Sequence, residues 1–313
     1  MEKSLLFFSK SVRRKGTIAS IFDCKVGSLP VPYLGLPLCC HGLKMVSCAP
    51  LIDKMAAKLN SWNGLKLSLA GRVELVKSVL TSFTYYWCSA FDIPAAVIGV
   101  LERKMTNFIW GSTDDSRKLH HLNWDILTSP KAEGGFGIRK VSDINHVSSC
   151  KLSWDFIRSK DCLWVAWFNY KYNTNASYWN SVLRASSSCI WNRMVAVRQF
   201  MLQHISYRVG SGTSISLFDD PWCQKQSLIH KFSYRICREL NLSRTAKLDS
   251  LIVDGRWVIP SLHSSILMQL QNFILSVPIH DGPDKILWDS TEFSFKKALE
   301  LCPFARAMVT KLW

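Results

Sequence analysis

Patterned chemistry is scarce in this chain. Among its 11 cysteines no two stand in a Cys-x-x-Cys pair, which argues against an ordinary zinc ribbon or finger. The number is odd and the spacing irregular, which argues against a secreted disulfide framework. No apolar run approaches the ~20 residues needed to span a bilayer. Lys3 to Lys15 alternates charge with apolar side chains, which a signal peptide does not do. Internal repeats and low-complexity tracts are absent. Acidic residues are few, 23 against 39 Lys and Arg.

What is present is apolar mass and positive charge. At 313 residues and 48% hydrophobic, the chain can bury a sizeable core, and its length suits about two domains. The formal net charge of +16 favours a polyanionic partner, because clustered Lys and Arg attract phosphate and release its counterions. The excess is spread, with 22 Lys and Arg against 12 Asp and Glu in residues 1–160, and 17 against 11 in residues 161–313. That distribution suits a broad contact surface rather than one basic arm. Free thiols imply a reducing, intracellular compartment.

Periodicity predicts a mainly α fold with small β elements. Residues 4–8 suit a strand, and 17–24 a strand or short helix. Pro30, Pro32 and Pro37 force 30–38 to run extended. Pro50 opens a helix with Leu51, Ile52, Met55, Leu59 and Trp62 inward, ended by Gly64. Ser68 is a candidate N-cap for a helix whose stripe is Leu69, Val73, Val76, Leu80, Phe83 and Trp87. Pro94 starts a third helix reaching Trp110, with Val97, Leu101, Phe108 and Ile109 inward. Pro130–Gly137 reads as a loop. Asp143 is a candidate cap for a fourth helix through Ile157, its face Ile144, Val147, Cys150, Trp154 and Ile157. These four helices, in 48–160, are expected to form a bundle. Further on, Cys162–Tyr172, Cys189–His204 and Leu262–Leu275 read as helices, and Ser186–Ser188 as a candidate joint. Ser206–Val209 and Ser214–Phe218, joined through Gly210-Ser-Gly212, read as a β-hairpin.

An ordered series of short blocks carries a resemblance. Gly27-Ser-Leu-Pro-Val-Pro-Tyr-Leu-Gly-Leu-Pro-Leu38 and Leu67-Ser-Leu-Ala-Gly-Arg-Val73 come first. Phe108-Ile-Trp-Gly111, Trp124 and Pro130-Lys-Ala-Glu-Gly-Gly-Phe-Gly-Ile138 follow, then Asn145 and Lys151-Leu-Ser-Trp154. Val209-Gly-Ser-Gly212, Phe218, Asp219, Trp222, Ile286-Leu-Trp288 and Phe293-Ser-Phe-Lys296 complete the series. In this order they resemble the reverse transcriptases of plant non-LTR (LINE-type) retrotransposons, in the part after the catalytic palm. The resemblance implies a palm-to-thumb tail over 1–47, a helical thumb-like bundle over 48–160, a connection region over 161–283 and the start of a zinc-binding module over 284–313. An intact relative would be an RNA-directed DNA polymerase using Mg²⁺. The palm's carboxylate motifs have no counterpart among these residues, so no catalytic residue, no cofactor and no metal ligand is expected in this chain.

Apparent sites have bland alternatives. Asp219-Asp220 could suggest metal-bound carboxylates, but Pro221 would interrupt the second strand of such a hairpin. A turn with an aspartate bonding nearby backbone is the expectation. Asp114-Asp115 reads as a polar loop and His120-His121 as a surface dipeptide. Cys39-Cys40-His41 with Cys48 could suggest zinc, although adjacent cysteines seldom reach one tetrahedral ion together. Gly210-Ser-Gly-Thr213 superficially resembles a phosphate loop, but lacks Gly-Lys-Ser/Thr entering a helix. Trp62, Trp87, Trp110 and Trp154 fall on helical stripes and read as core rather than base-stacking platforms.

The candidate nucleic-acid-binding set is Lys54, Lys58, Lys66, Ser68, Arg72 and Lys77. Lys66, Ser68 and Arg72 offer cations and free N–H groups to phosphate, and the alternative is a solvated helix face. The resemblance favours the first, because that family's thumb grips the primer–template duplex in this part of the chain. The expected partner is RNA, DNA or RNA–DNA hybrid bound without sequence preference. The rivals are a degenerate retroelement product without function and a Trp-rich protein-binding scaffold. The apolar surface around Val31–Leu38 would be open to a palm domain or to self-association.

Overall fold

The computed structural model describes residues 4–9, 11–39, 42–63, 66–111, 119–172, 177–183, 186–259 and 264–309. Cys40, His41, Gly64, Asp114, Asp115, Leu262 and Trp313, all used in the sequence reading, lie outside them. Helix occupies about 53% and strand about 10%, so the fold is mainly α with small β elements, as expected. The chain divides into two compact units, residues 1–145 and 146–313.

The first unit opens with β1 (Leu5–Leu6), α1 (Lys15–Ile21) and β2 (Lys25–Val26), in which β1 and β2 pair in parallel. The proline-rich segment runs extended, as its three prolines require. It also doubles back, pairing β3 (Val31–Tyr33) with β4 (Leu36–Leu38) in an antiparallel hairpin. Gly35 permits that turn with φ +79°. Tyr86 donates its hydroxyl to the Leu34 carbonyl at 2.7 Å. Ile21, Phe22, Tyr33, Leu34, Leu38 and Val46 stay exposed, so this end of the unit carries considerable uncovered apolar surface.

Three helical stretches follow and form the core. In α2 (Ala49–Asn63), Leu51, Met55 and Leu59 are buried while Lys54 and Lys58 face out. Ser68 caps α3 (Leu69–Leu75), its hydroxyl accepting the Gly71 N–H at 3.2 Å. Here the structure departs from a single regular helix. A π-turn at Val76–Leu80 separates α3 from α4 (Thr81–Ala90). Both the backbone N–H and the hydroxyl of Thr81 donate to the Val76 carbonyl, the hydroxyl at 3.0 Å. Val73, Val76, Leu80 and Trp87 are buried as the stripe requires, but after the π-turn Thr84 and Cys88 are buried too and Phe83 is only half-buried. Leu69, also expected inward, is exposed beside the cap.

The fifth helix, α5 (Ala95–Trp110), starts after Pro94 and ends at Gly111, whose φ of +67° is the left-handed cap that glycine tolerates. Val97, Leu101, Phe108 and Ile109 are buried in it. Next come α6 (Trp124–Thr128) and the Pro130–Gly137 loop. In α7 (Val141–Ile157) the expected cap, Asp143, lies inside the first turn. Glu102 of α5 caps the helix instead, its carboxylate accepting the Val141 N–H at 2.9 Å. Helix α7 buries residues all round, including Asn145, Ser148, Ser149 and Ser153. A helix buried on every side cannot show the one-sided stripe that the sequence reading used.

In the second unit α8 (Leu163–Tyr172) is helical as expected. The expected helix over 189–204 is two, α9 (Cys189–Ala196) and α10 (Arg198–His204), broken at Val197. Ser188, from the candidate joint, caps α9 by accepting the Trp191 N–H. The expected 206–218 hairpin does not form. Strand β5 (Ile205–Arg208) pairs antiparallel with β8 (Lys285–Trp288), far away in sequence. Between them lie α11 (Leu228–Phe232), α12 (Arg235–Glu239), the short ladder of β6 (Ile252–Val253) with β7 (Arg256–Trp257), and α13 (Ser265–Leu275). Val209, Ile215, Leu217, Phe218 and Trp222 are buried with Leu267, Leu270 and Phe273 of α13. The alternation read as a strand is therefore real burial, and the segment pairs through an antiparallel bridge of Ser216 with Lys247 rather than with 206–209. Finally α14 (Phe295–Val309) follows β8.

Candidate nucleic-acid interface

Two contacts fix how the candidate cations gather. Trp62, in the last turn of α2, packs its ring at a tilt against Phe108 in the last turn of α5, the centroids 5.7 Å apart. Arg72, in the first turn of α3, rests its guanidinium on Gly111 just past the end of α5. Three helix ends thus meet at one corner of the first unit. Lys58 and Arg72 stand at that corner, and Lys66 and Ser68 lie between α2 and α3 in the chain.

The remaining two diverge. Lys54, one turn back along α2, holds its Nζ 4.6 Å above the Phe83 ring of α4. Lys77 extends its Nζ beside Gly137 of the Pro130–Gly137 loop. Arg72 and Lys77, five residues apart, reach different neighbours.

Local contacts also give these side chains structural work. Lys58 Nζ lies 5.7 Å from the Trp62 ring, a cation–π distance. Arg72 stands at the carbonyl end of α5, where a cation offsets the helix dipole. Ser68 spends its hydroxyl on the cap. Yet among the described residues none of Lys54, Lys58, Lys66, Arg72 or Lys77 forms an ion pair with a carboxylate. Lys54, Lys58 and Lys66 are exposed, and Arg72 and Lys77 half-buried. Unneutralised cations at an exposed corner can meet phosphate without first breaking an internal pair.

The other apparent sites resolve differently. Asp220 accepts the Ser216 N–H at 2.8 Å, the turn geometry expected of it. Asp219 is buried and accepts from Asn180 Nδ2 at 2.7 Å, with Arg244 at 3.6 Å. Burial pushes the Asp220 carboxyl up to about 6, against the opposing pull of the Ser216 N–H and Lys247, while Asp219 raises it further. A carboxyl raised in the folded state stabilises fully below its unfolded value and loses that contribution as pH rises through the folded one. The second unit should therefore lose stability between pH ~4 and about 6. Asp220→Asn should flatten that stretch of the curve, and unfolding midpoints taken across this range check it. An unchanged slope in the variant would assign the dependence to another group.

The Gly210 loop is neither a hairpin turn nor an open phosphate loop. It closes around the carboxylate of Asp284. Oδ1 accepts the N–H groups of Gly210 and Gly212 at 2.8 and 2.9 Å. Oδ2 accepts the Ser214 N–H and hydroxyl, both at 2.9 Å. Alternate N–H groups aimed at one anion form a nest. They are then lost to any strand partner, which is why the hairpin fails. Burial raises the Asp284 pKa, but the Ser214, Gly210 and Gly212 N–H groups and the Ser214 hydroxyl outweigh it and hold the carboxyl below its ordinary value. Asp284 escaped the sequence reading because its partners lie about 70 residues upstream. The only local signal was the turn-forming Gly282-Pro283 before it.

His120 and His121 are exposed, as expected, and both rings lie against Trp110. Trp87 and Trp154 are buried, and Trp62 and Trp110 half-buried. Cys48 is buried, which pushes its thiol up to about 11, with Cys39 adding to the rise. Among the described residues no three His, Cys, Asp or Glu side chains are grouped to share a metal ion, and no helix is long and apolar enough to cross a membrane.

The chain is similar to two curated plant proteins. It is 24% identical over 269 residues to an Arabidopsis thaliana protein named "Putative ribonuclease H protein", a match covering 80% of this chain and 42% of that protein. It has relatives in plants. A second, an "Uncharacterized mitochondrial protein" of Arabidopsis thaliana, is 22% identical over 143 residues, 45% of this chain and 93% of its own length. The chain thus spans less than half of the first relative. No protein-family model matches it.

Proposed function

We propose that this chain is the thumb and connection region of a plant LINE-type reverse transcriptase, with the start of its zinc-binding module, and that it binds nucleic acid through phosphates without polymerising it. The observation that carries the binding is the corner where α2, α3 and α5 meet, with Lys58, Lys66 and Arg72 unneutralised around it. The net charge of +16 supplies the long-range attraction. A relative named for ribonuclease H, an activity on RNA–DNA hybrid, supports a retroelement origin. The exposed apolar side chains from Ile21 to Val46 support a face for a palm domain or a second copy.

The way its paired carboxylates are spent supports the non-catalytic reading. Asp219 serves Asn180 and Arg244, and Asp220 serves the Ser216 backbone. With primer, template, dNTPs and Mg²⁺ or Mn²⁺, the purified chain should extend nothing, and it should leave RNA–DNA hybrid uncut. In the same tubes, mobility shift at low salt should show the hybrid bound. Extension abolished by Asp219→Asn or Asp220→Asn would refute the non-catalytic reading. A parent chain that binds nothing at low salt would favour an inert retroelement product.

A further inference from the structure

The second unit holds an open cleft of about 740 Å³ where α11 gives way to α12, flanked by α13. Its lining includes the cations Lys231 and Arg235 and no aspartate or glutamate. Lys231 is held in place, its Nζ 3.7 Å from the Phe273 ring centroid. Arg235 is exposed and makes no ion pair among the described residues. Between them on the rim stands Tyr234, 53% exposed. The Arg244 guanidinium lies 5.0 Å from its ring and is itself braced 3.6 Å from Asp219. A tyrosine braced by a cation and still half open is a ready stacking platform.

The backbone supports this arrangement. Ser233 ends α11 with φ 62° and ψ 177°, a region that side-chain-bearing residues rarely occupy. That reversal is what sets Tyr234 and Arg235 on the rim. Polar groups complete the wall. Asn180 spends its amide nitrogen on Asp219 and keeps Oδ1 as an acceptor. Gln269 of α13 is exposed.

We propose that this cleft binds one nucleotide unit, a phosphate beside a base. Lys231 and Arg235 take the phosphate, Tyr234 stacks on the base, and Asn180 and Gln269 hydrogen-bond its edge. Stacking accepts any base and phosphate contact accepts any sequence, so the site reads a single strand without preference. It is separate from the corner in the first unit and does not depend on the reading of that corner. A smaller cleft of about 360 Å³, lined by Lys151, Trp154, Asp155, Arg158, Lys160 and Phe293, differs in its charges. There Asp155 pairs with both Lys151 and Lys160, and Trp154 is buried.

The test uses the full chain with two probes, a fluorescent oligouridylate of about eight nucleotides, roughly the site size of single-strand binders, and free UMP. Anisotropy at low salt reads the first and calorimetry the second. Tyr234→Ala should weaken the oligonucleotide on the order of tenfold, the scale of one base–aromatic stack, and Tyr234→Phe should keep it. Lys231→Gln with Arg235→Gln should lower the salt slope by about 0.7, one single-strand phosphate contact. The same series repeated with Lys58, Lys66 and Arg72 changed to Gln separates the two surfaces, because the Tyr234 effect should persist there. UMP binding that also requires Tyr234 identifies a free nucleotide as sufficient ligand. Binding of the oligonucleotide alone identifies a strand. Either supports the site. Equal affinity of parent and Tyr234→Ala, or no binding of either probe at low salt, overturns it.

Discussion

Replacing Asp284 with alanine should destabilise the second unit by about 2–3 kcal/mol, the largest loss expected from any single polar side chain here. The carboxylate receives four hydrogen bonds, three from backbone N–H groups and one from the Ser214 hydroxyl. Hydrogen bonds to an ionised group are worth about 1.5–3 kcal/mol each, but the nest is only partly buried and water replaces some of them. The estimate is therefore nearer one or two bonds than four. Asp284→Asn should fare little better, because its NH₂ would face the Ser214 N–H, donor against donor. The loop has no easy retreat. A Cβ at Gly210 would strike the Gly282 carbonyl, and Gly212, at φ +76°, has the Asp249 nitrogen 2.6 Å from where its own would stand. Urea unfolding at pH 7 measures the total, and amide exchange at Gly210, Gly212 and Ser214 reads the loop itself. Unaltered protection of those three amides in Asp284→Ala would show that the carboxylate is incidental.

The pH dependence gives an independent check. Asp284 has a folded pKa below its ordinary value, so its contribution is present above the unfolded pKa and disappears as pH falls through the folded one. Asp220 runs the other way, losing its contribution as pH rises toward about 6. The two windows do not overlap. A single pH series on Asp284→Asn and Asp220→Asn can therefore assign each limb of the stability curve to its own carboxylate.

Local patterns were readable from the sequence where the physics is local. Helices α2 and α5 bury one stripe and expose the other, so their periodicity marks their ends and their inward residues. Ser68 caps because its own hydroxyl reaches three residues ahead. Where a partner comes from afar, local reading fails. Glu102 displaces Asp143 as the cap of α7 from about 40 residues away. Strand β5 takes β8, and Asp284 takes the N–H groups that a hairpin would have needed. The π-turn at Val76–Leu80 was hidden for another reason, since every residue in it is an ordinary helix former by spacing. The same divide runs through the candidate interface. Exposure of Lys54 and Lys58 was legible as the polar side of a stripe, and that of Lys66 from its place in the loop before Ser68. Which cations share a corner was not, because that depends on Trp62 meeting Phe108 and Arg72 meeting Gly111.

That corner carries the second large expected effect. Changing Lys58, Lys66 and Arg72 together to Gln should weaken binding of duplex or hybrid roughly five-hundredfold at about 0.1 M salt. The reasoning is counterion release. Each phosphate contact contributes about 0.9 to the slope of log affinity against log salt on duplex, so three contacts contribute roughly 2.7 and about that many decades between 0.1 M and 1 M. The salt slope should fall by the same amount, a signature that misfolding does not produce. Lys58 and Lys66 are exposed, so their loss should leave helical content intact. Arg72 is half-buried at the end of α5, and a separate Arg72→Lys variant keeps the charge while loosening the contact with Gly111. If phosphate is the ligand, Arg72→Lys should retain most of the affinity and the full slope. Lys77→Gln, whose side chain reaches the Pro130–Gly137 loop instead, should change both quantities less than any member of the corner. Wild-type affinity and slope in the triple variant would move the contact surface away from α2 and α3.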